Sequence, residues 1–126
     1  MDSYSIKNLK DVEDMAPRFG LAPALEARFA RDDLGCRQTG ISYQRLAPNT
    51  DGEFGHTHHQ DEEIYVILSG SGRVKLGEEM VNVSSLDAIR VAPGTLRAFA
   101  AGPEGLELLA FGTHRDDDAS MQQVEW

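Results

Sequence analysis

The chain has 126 residues and a mass of 13.9 kDa, room for one domain and too little for two that fold independently. Hydrophobic residues make up 40% and charged residues 26%, ordinary globular usage that excludes a disordered or fibrous chain. Twenty-one Asp and Glu against 12 Lys and Arg leave a net charge of -9, which repels phosphate backbones and anionic lipid, so neither nucleic acid nor a membrane is expected as a partner. Cys36 is the only cysteine, which excludes a disulfide within one chain. Residues Met1 to Asp14 carry neither a basic n-region nor an apolar run, so no signal peptide is expected, and the longest apolar stretch, Ile64 to Leu68, is too short to span a bilayer. The expectation is a soluble, cytoplasmic protein.

Residues 1–24 read as an arm packed on the main body. Asn8 is placed to cap a short helix whose Leu9, Val12 and Met15 share one face, and Pro17, Gly20 and Pro23 break any continuation. From residue 25 the period becomes two: Leu25, Ala27 and Phe29 alternate with charged Glu26 and Arg28. A second strand is expected over Gln38 to Leu46, ended by the turn-forming run Pro48 to Gly52. Glu63 to Leu68, Gly70-Ser71-Gly72 and Arg73 to Leu76 read as a tight hairpin. Met80 to Val83, Asp87 to Val91, Leu96 to Ala101 and Leu106 to Phe111 complete the series. Short strands between Gly, Pro and Asn turns predict an antiparallel sandwich or barrel over residues 25–115. Residues 116–126, opening on three aspartates, read as a solvated acidic tail, with Trp126 free to cover either its own chain or a partner.

Three of the four histidines fall within Gly55-His56-Thr57-His58-His59. Residues two apart on a strand face the same way, so His56 and His58 aim their imidazoles at one spot, and a loop of four residues brings in Glu63. Two imidazoles and a carboxylate converging inside a barrel suit a divalent transition metal: zinc, iron, manganese, nickel or copper. Tyr65 shares parity with Glu63, and Phe99 with Arg97, which sets both aromatics as candidate lining. For the strand over Ser42 to Arg45, parity alone does not say whether Ser42 and Gln44 or Tyr43 and Arg45 point inward. Asp61 and Glu62 are expected in solvent.

His56-x-His58, four residues, Glu63, six residues, Gly70 resembles the first sequence motif of the cupin superfamily, and Asp87 to Phe99, turning through Pro93-Gly94, resembles its second. The resemblance spans about residues 38–112. It implies an all-β, double-stranded β-helix or jelly-roll barrel of six to eight strands, here with a short helical N-terminal arm, frequently dimeric and holding one metal. It also implies a fourth ligand, a His separated by two residues from the second motif's glycine. Counting from Gly94, that position is Arg97, whose guanidinium has no lone pair to give and stays protonated. At about 4 Å and an effective dielectric near 20 it repels a metal by about 4 kcal/mol per unit of metal charge.

Three arrangements are open: Arg97 pairs with Glu63 and replaces the metal, Arg97 leaves a three-ligand site of His56, His58 and Glu63, or His59, Gln60 or His114 fills the gap. The expected function is binding of a small, anionic molecule inside the barrel, gripped by Arg97 beside Tyr65 and Phe99, with or without a metal. The alternative is a metal-dependent dioxygenase or isomerase using His56, His58 and Glu63. A homodimer through uncovered strand edges is the expected assembly.

Overall fold

Side-chain alternation from residue 25 onward builds an antiparallel sheet that curls on itself. The computed structural model describes residues 3–126, so Met1 and Asp2 of the expected arm lie outside the described residues. The strands are β1 (Leu25–Phe29), β2 (Thr39–Leu46), β3 (Phe54–His58), β4 (Glu63–Leu76), β5 (Glu79–Ser84), β6 (Ala88–Val91), β7 (Arg97–Thr113) and β8 (Ala119–Gln123), with one helical turn, α1 (Arg31–Leu34), after β1. Strand order runs β1-β2-β7-β3-β8, while β4 pairs with β5, β6 and β7. This is the expected all-β barrel. No helix among the described residues is long and apolar enough to cross a membrane.

Two long strands carry the curl. The first half of β7 lies between His56 of β3 and residues 72–76 of β4, and its second half lies between β2 and residues 63–70 of β4. The expected hairpin at Gly70-Ser71-Gly72 is therefore not a hairpin: β4 runs unbroken through it, with register shifts against β7 between Ile67 and Ser69 and between Gly70 and Gly72. The glycines serve close approach. A Cβ at Gly70 would collide with the Gly105 carbonyl, and one at Gly72 with the Ala100 carbonyl. Likewise the two strands expected over 96–101 and 106–111 are one, β7. The real hairpin is two residues long, Gly77-Glu78, with Gly77 at φ 62 between Leu76 and Glu79.

The inward face gathers Leu46, Tyr65, Ile67, Val74, Val91, Phe99, Leu106 and Leu108 into one core. Ser42 and Gln44 share this face, because Ser42 stands in register with Ala110 and Ala110 with Tyr65, while Tyr43 and Arg45 point outward.

The arm forms two 3-10 turns, Leu9–Asp11 and Ala16–Phe19, where one short helix was expected. Asn8 does cap the first by accepting from the Lys10 amide, but Val12 is extended and ends it, burying its side chain alone. The arm covers the outer face of β1. There Glu26 is buried and accepts from Lys10 Nζ (2.8 Å), Arg28 Nε (2.6 Å) and Arg45 Nε (3.0 Å). β1 thus has two covered faces, and Phe29, which shares parity with Leu25 and Ala27, is half exposed at its end. Trp126 lies on its own chain, its indole donating to the Gly52 carbonyl (2.8 Å) and its ring under Arg73.

Gly72→Ala is expected to lower stability by about 2–3 kcal/mol in urea unfolding, because β4 must separate from β7 to admit the methyl group. Burial pushes the Glu26 carboxyl up, but its three cations outweigh that and bring its pKa from 4.5 down to about 2. The resulting stability is complete above pH 4.5 and is lost as pH falls toward 2. Glu26→Gln should flatten the unfolding midpoint across that interval and lower it at pH 7.

Candidate functional site

β3 sets the first two donors. Its alternation puts His56 and His58 on the inward face, and its register places His56 directly opposite Arg97. The chain then turns through residues 59–62 and enters β4 at Glu63, in register with Gly112 of β7. The result is a convergence on one carboxylate oxygen: Glu63 Oε1 lies 3.4 Å from His56 Nε2 and 3.5 Å from His58 Nε2. The Tyr65 hydroxyl donates to the same oxygen and stands 3.3 Å from His56 Nε2. Phe99 packs against Tyr65 with ring centroids 4.9 Å apart.

Burial pushes the Glu63 carboxyl up, yet hydrogen bonds from His56 and Tyr65 and the nearby imidazoles hold it below its ordinary range. Tyr65 is driven well above the ordinary phenol range, first by burial and then by Glu63. The pair therefore stands as an anionic acceptor with a neutral donor.

Three donors bound to one tetrahedral ion at about 2.0–2.2 Å stand about 3.3–3.6 Å from one another. Glu63 Oε1 meets both imidazole nitrogens at that spacing, and all three ligand atoms lie within 4.8 Å of each other. Both nitrogens of His58 are buried without a hydrogen-bond partner. The donor set fits a divalent transition metal.

Arg97 is 1% exposed, and Nε, Nη1 and Nη2 all lack a hydrogen-bond partner. It forms no ion pair with Glu63, whose partners are His56, His58 and Tyr65, so the guanidinium does not stand in for a metal. Nor is the gap filled from elsewhere. His59 Nε2 meets Ser120 Oγ at 3.1 Å, His114 Nε2 meets Asp116 Oδ1 at 3.2 Å, and both are exposed, as is Gln60. On the inward face of β2, Gln44 Nε2 donates to Ser42 Oγ (3.1 Å). Two surface depressions, about 330 Å³ around Ser71, Arg73 and Asn82 and about 430 Å³ around Met15, Phe29 and Asp33, include none of these residues.

Two acidic residues expected in solvent are buried beside the donors. Asp61 accepts from the Arg115 amide (2.9 Å), pairs with the Arg115 guanidinium and accepts from Thr113 Oγ1 (3.3 Å). Asp118 accepts from the amides of Gln60 (3.0 Å) and Asp61 (2.9 Å), and its Oδ2 lies 3.4 Å from His58 Nδ1. Burial raises the Asp118 carboxyl, but these amides and His58 outweigh it and hold it below its ordinary range. The expected solvated tail is thus a partner of the site: Asp118 leads into β8, which pairs with β3 along its whole length. The local pattern hid this, because a charged run before Ala119-Ser120-Met121-Gln122-Gln123 carries no strong apolar alternation.

An antiparallel jelly-roll barrel with two histidines and a glutamate turned into its lumen defines the class. The cupin domain family model matches residues 42–112, and the chain belongs to the cupin family. Among solved structures it resembles a cupin protein from Bacteroides fragilis, at 23% identity and a TM-score of 0.73 over 93% of this chain and 89% of that one. The polyketide cyclase RemF from Streptomyces resistomycificus matches at 20% identity and a TM-score of 0.75, over 97% and 86%. Oxalate decarboxylase from Bacillus subtilis matches at 20% identity and a TM-score of 0.73, over 94% of this chain and 33% of that one. At these identities the likeness concerns the fold. No curated protein matches the sequence.

Asp61→Asn should lower stability by about 1–2 kcal/mol, since its single amide oxygen cannot serve both the Arg115 amide and the guanidinium, and the ion pair is lost. Urea unfolding with and without the substitution measures it.

Proposed function

We propose that this cupin binds a small carboxylate-bearing molecule inside its barrel, at a divalent metal held by His56, His58 and Glu63. The carrying observation is Arg97, a permanently charged group 1% exposed with three unpartnered nitrogens, facing the same lumen as the metal donors. A buried polar group left unpaired costs about 1–3 kcal/mol and a charged one more, so the lumen is built for an acceptor that the chain itself does not supply. The planar fork of a guanidinium matches a carboxylate with two parallel hydrogen bonds.

A metal bound there supplies a Lewis acid with open positions for a ligand oxygen. Tyr65, held neutral, presents a donor beside those positions, Phe99 packs on the phenol ring, and Ser42 and Gln44 offer polar groups on the same inward face. The names of two structural neighbours, an oxalate decarboxylase and a polyketide cyclase, accord with an oxygen-rich ligand.

Elemental analysis of protein made without a His tag is expected to find about one equivalent of a transition metal, lost in Glu63→Gln. Arg97→His should raise metal affinity by removing a cation and adding a donor. In calorimetry of the Zn²⁺-loaded protein with acetate, oxalate, malonate, succinate and citrate, at least one should bind. Arg97→Met should weaken it 10–100-fold without changing the metal stoichiometry, the range expected for a charge-assisted hydrogen bond of about 1.5–3 kcal/mol. Carboxylates that bind Arg97→Met as tightly as the unmodified protein, or none that binds at all, would overturn the assignment.

A further inference from the structure

We infer that Asp118 is a positioning residue for the metal site: it accepts from the Nδ1–H of His58 and so turns the Nε2 lone pair toward the metal. The inference rests on the metal reading above and concerns a residue outside the donor set.

Nε2 of His58 points at Glu63 (3.5 Å) and Nδ1 at Asp118 Oδ2 (3.4 Å), so the ring lies between one carboxylate that shares the metal and one that does not. A neutral imidazole ligates through the nitrogen that lacks the proton, and the partner of the other nitrogen decides which that is. Neither ring nitrogen makes a hydrogen bond among the described residues, and Asp118 Oδ2, at 3.4 Å, is the carboxylate oxygen that faces Nδ1.

The carboxylate itself is held firmly. Asp118 is 5% exposed and takes both amides at the apex of the 59–62 loop, while its carbonyl accepts from the His59 amide (3.0 Å). That loop joins His58 to Glu63, so one side chain fixes the ring orientation and the spacing of two donors. His58, Asp61 and Asp118 also lie close enough to suggest a second cation site. Their oxygens are already committed, those of Asp61 to Arg115 and Thr113 and those of Asp118 to two amides. The trio therefore supports the first site and does not make another.

Nitrogen-15 NMR of the metal-free protein at pH 8 reads the His58 tautomer directly. The expected result is a proton on Nδ1 in the unmodified protein and on Nε2 in Asp118→Leu, which removes the acceptor that faces Nδ1. Co²⁺ affinity should fall 10–100-fold in the variant, the usual cost of losing the carboxylate behind a ligating histidine. A loop anchor without an orienting role would change the melting temperature and leave the tautomer alone. An Nε2 proton in the unmodified protein, which needs no variant to fold, or an unchanged tautomer in Asp118→Leu, would overturn the inference. If the unmodified protein binds no Co²⁺ while its His58 tautomer still depends on Asp118, the metal reading fails and the orienting role stands.

Discussion

Everything in the lumen answers to the buried charge on Arg97. A guanidinium cannot shed its proton, and at its depth none of its nitrogens has a hydrogen-bond partner among the described residues. Its position is dictated by the sheet: β3 and β7 pair at His56 and Arg97, so the cation and the first imidazole are neighbours by backbone register. Glu63 does not neutralise it, being occupied by His56, His58 and Tyr65. With a divalent ion on those three donors, the lumen holds one carboxylate against the ion and the guanidinium, and Asp118 contributes only from behind His58. The surplus positive charge makes an anionic ligand a requirement of the proposed site and sets its place between the metal and Arg97.

The barrel that imposes this register depends on two strands longer than any turn-based reading suggests. β4 and β7 each bend through a right-handed curl without ending, and Gly70 and Gly72 let their backbones come together where a side chain would hold them apart. A Gly-Ser-Gly run between alternating segments is also what a hairpin needs, so local pattern cannot separate the two uses. The difference lies in what stands opposite: the carbonyls of Gly105 and Ala100, some thirty residues away in sequence, which no window of adjacent residues contains.

The same distinction governs what was legible at the site. The all-β architecture, the inward parity of His56 and His58, and the arrival of Glu63 after a four-residue loop follow from strand period and spacing, and so were open to a reader of the residues alone. Ser42 against Tyr43 was not, since both faces of β2 carry a polar and an apolar or amphipathic residue, and only pairing with β7 decides between them. Glu26 and Asp61 were hidden because a carboxylate reads as exposed until its cations are found. Arg28 stands beside Glu26 on β1, but the other cations come from Lys10 in the arm, Arg45 on β2 and, for Asp61, Arg115 after β7. Burial of charge is a property of partners distant in the chain, and composition records only that the partners exist.

Asp118 joins these themes. It belongs to a run of acids whose ordinary fate is solvation, and the neighbours of that run behave so: Asp116 and Asp117 are exposed. What separates Asp118 is β8, which pairs with the strand bearing the histidines and so carries the residue just before it to the loop between the donors. Two amides and an imidazole then converge on one carboxylate, which needs no side-chain cation to remain charged at that depth. A strand added to the edge of β3 thus does more than cover that edge. It brings in an anion that is not itself a ligand, and an anion so placed favours an oriented His58 while leaving the open side of the site to Arg97 and whatever Arg97 holds.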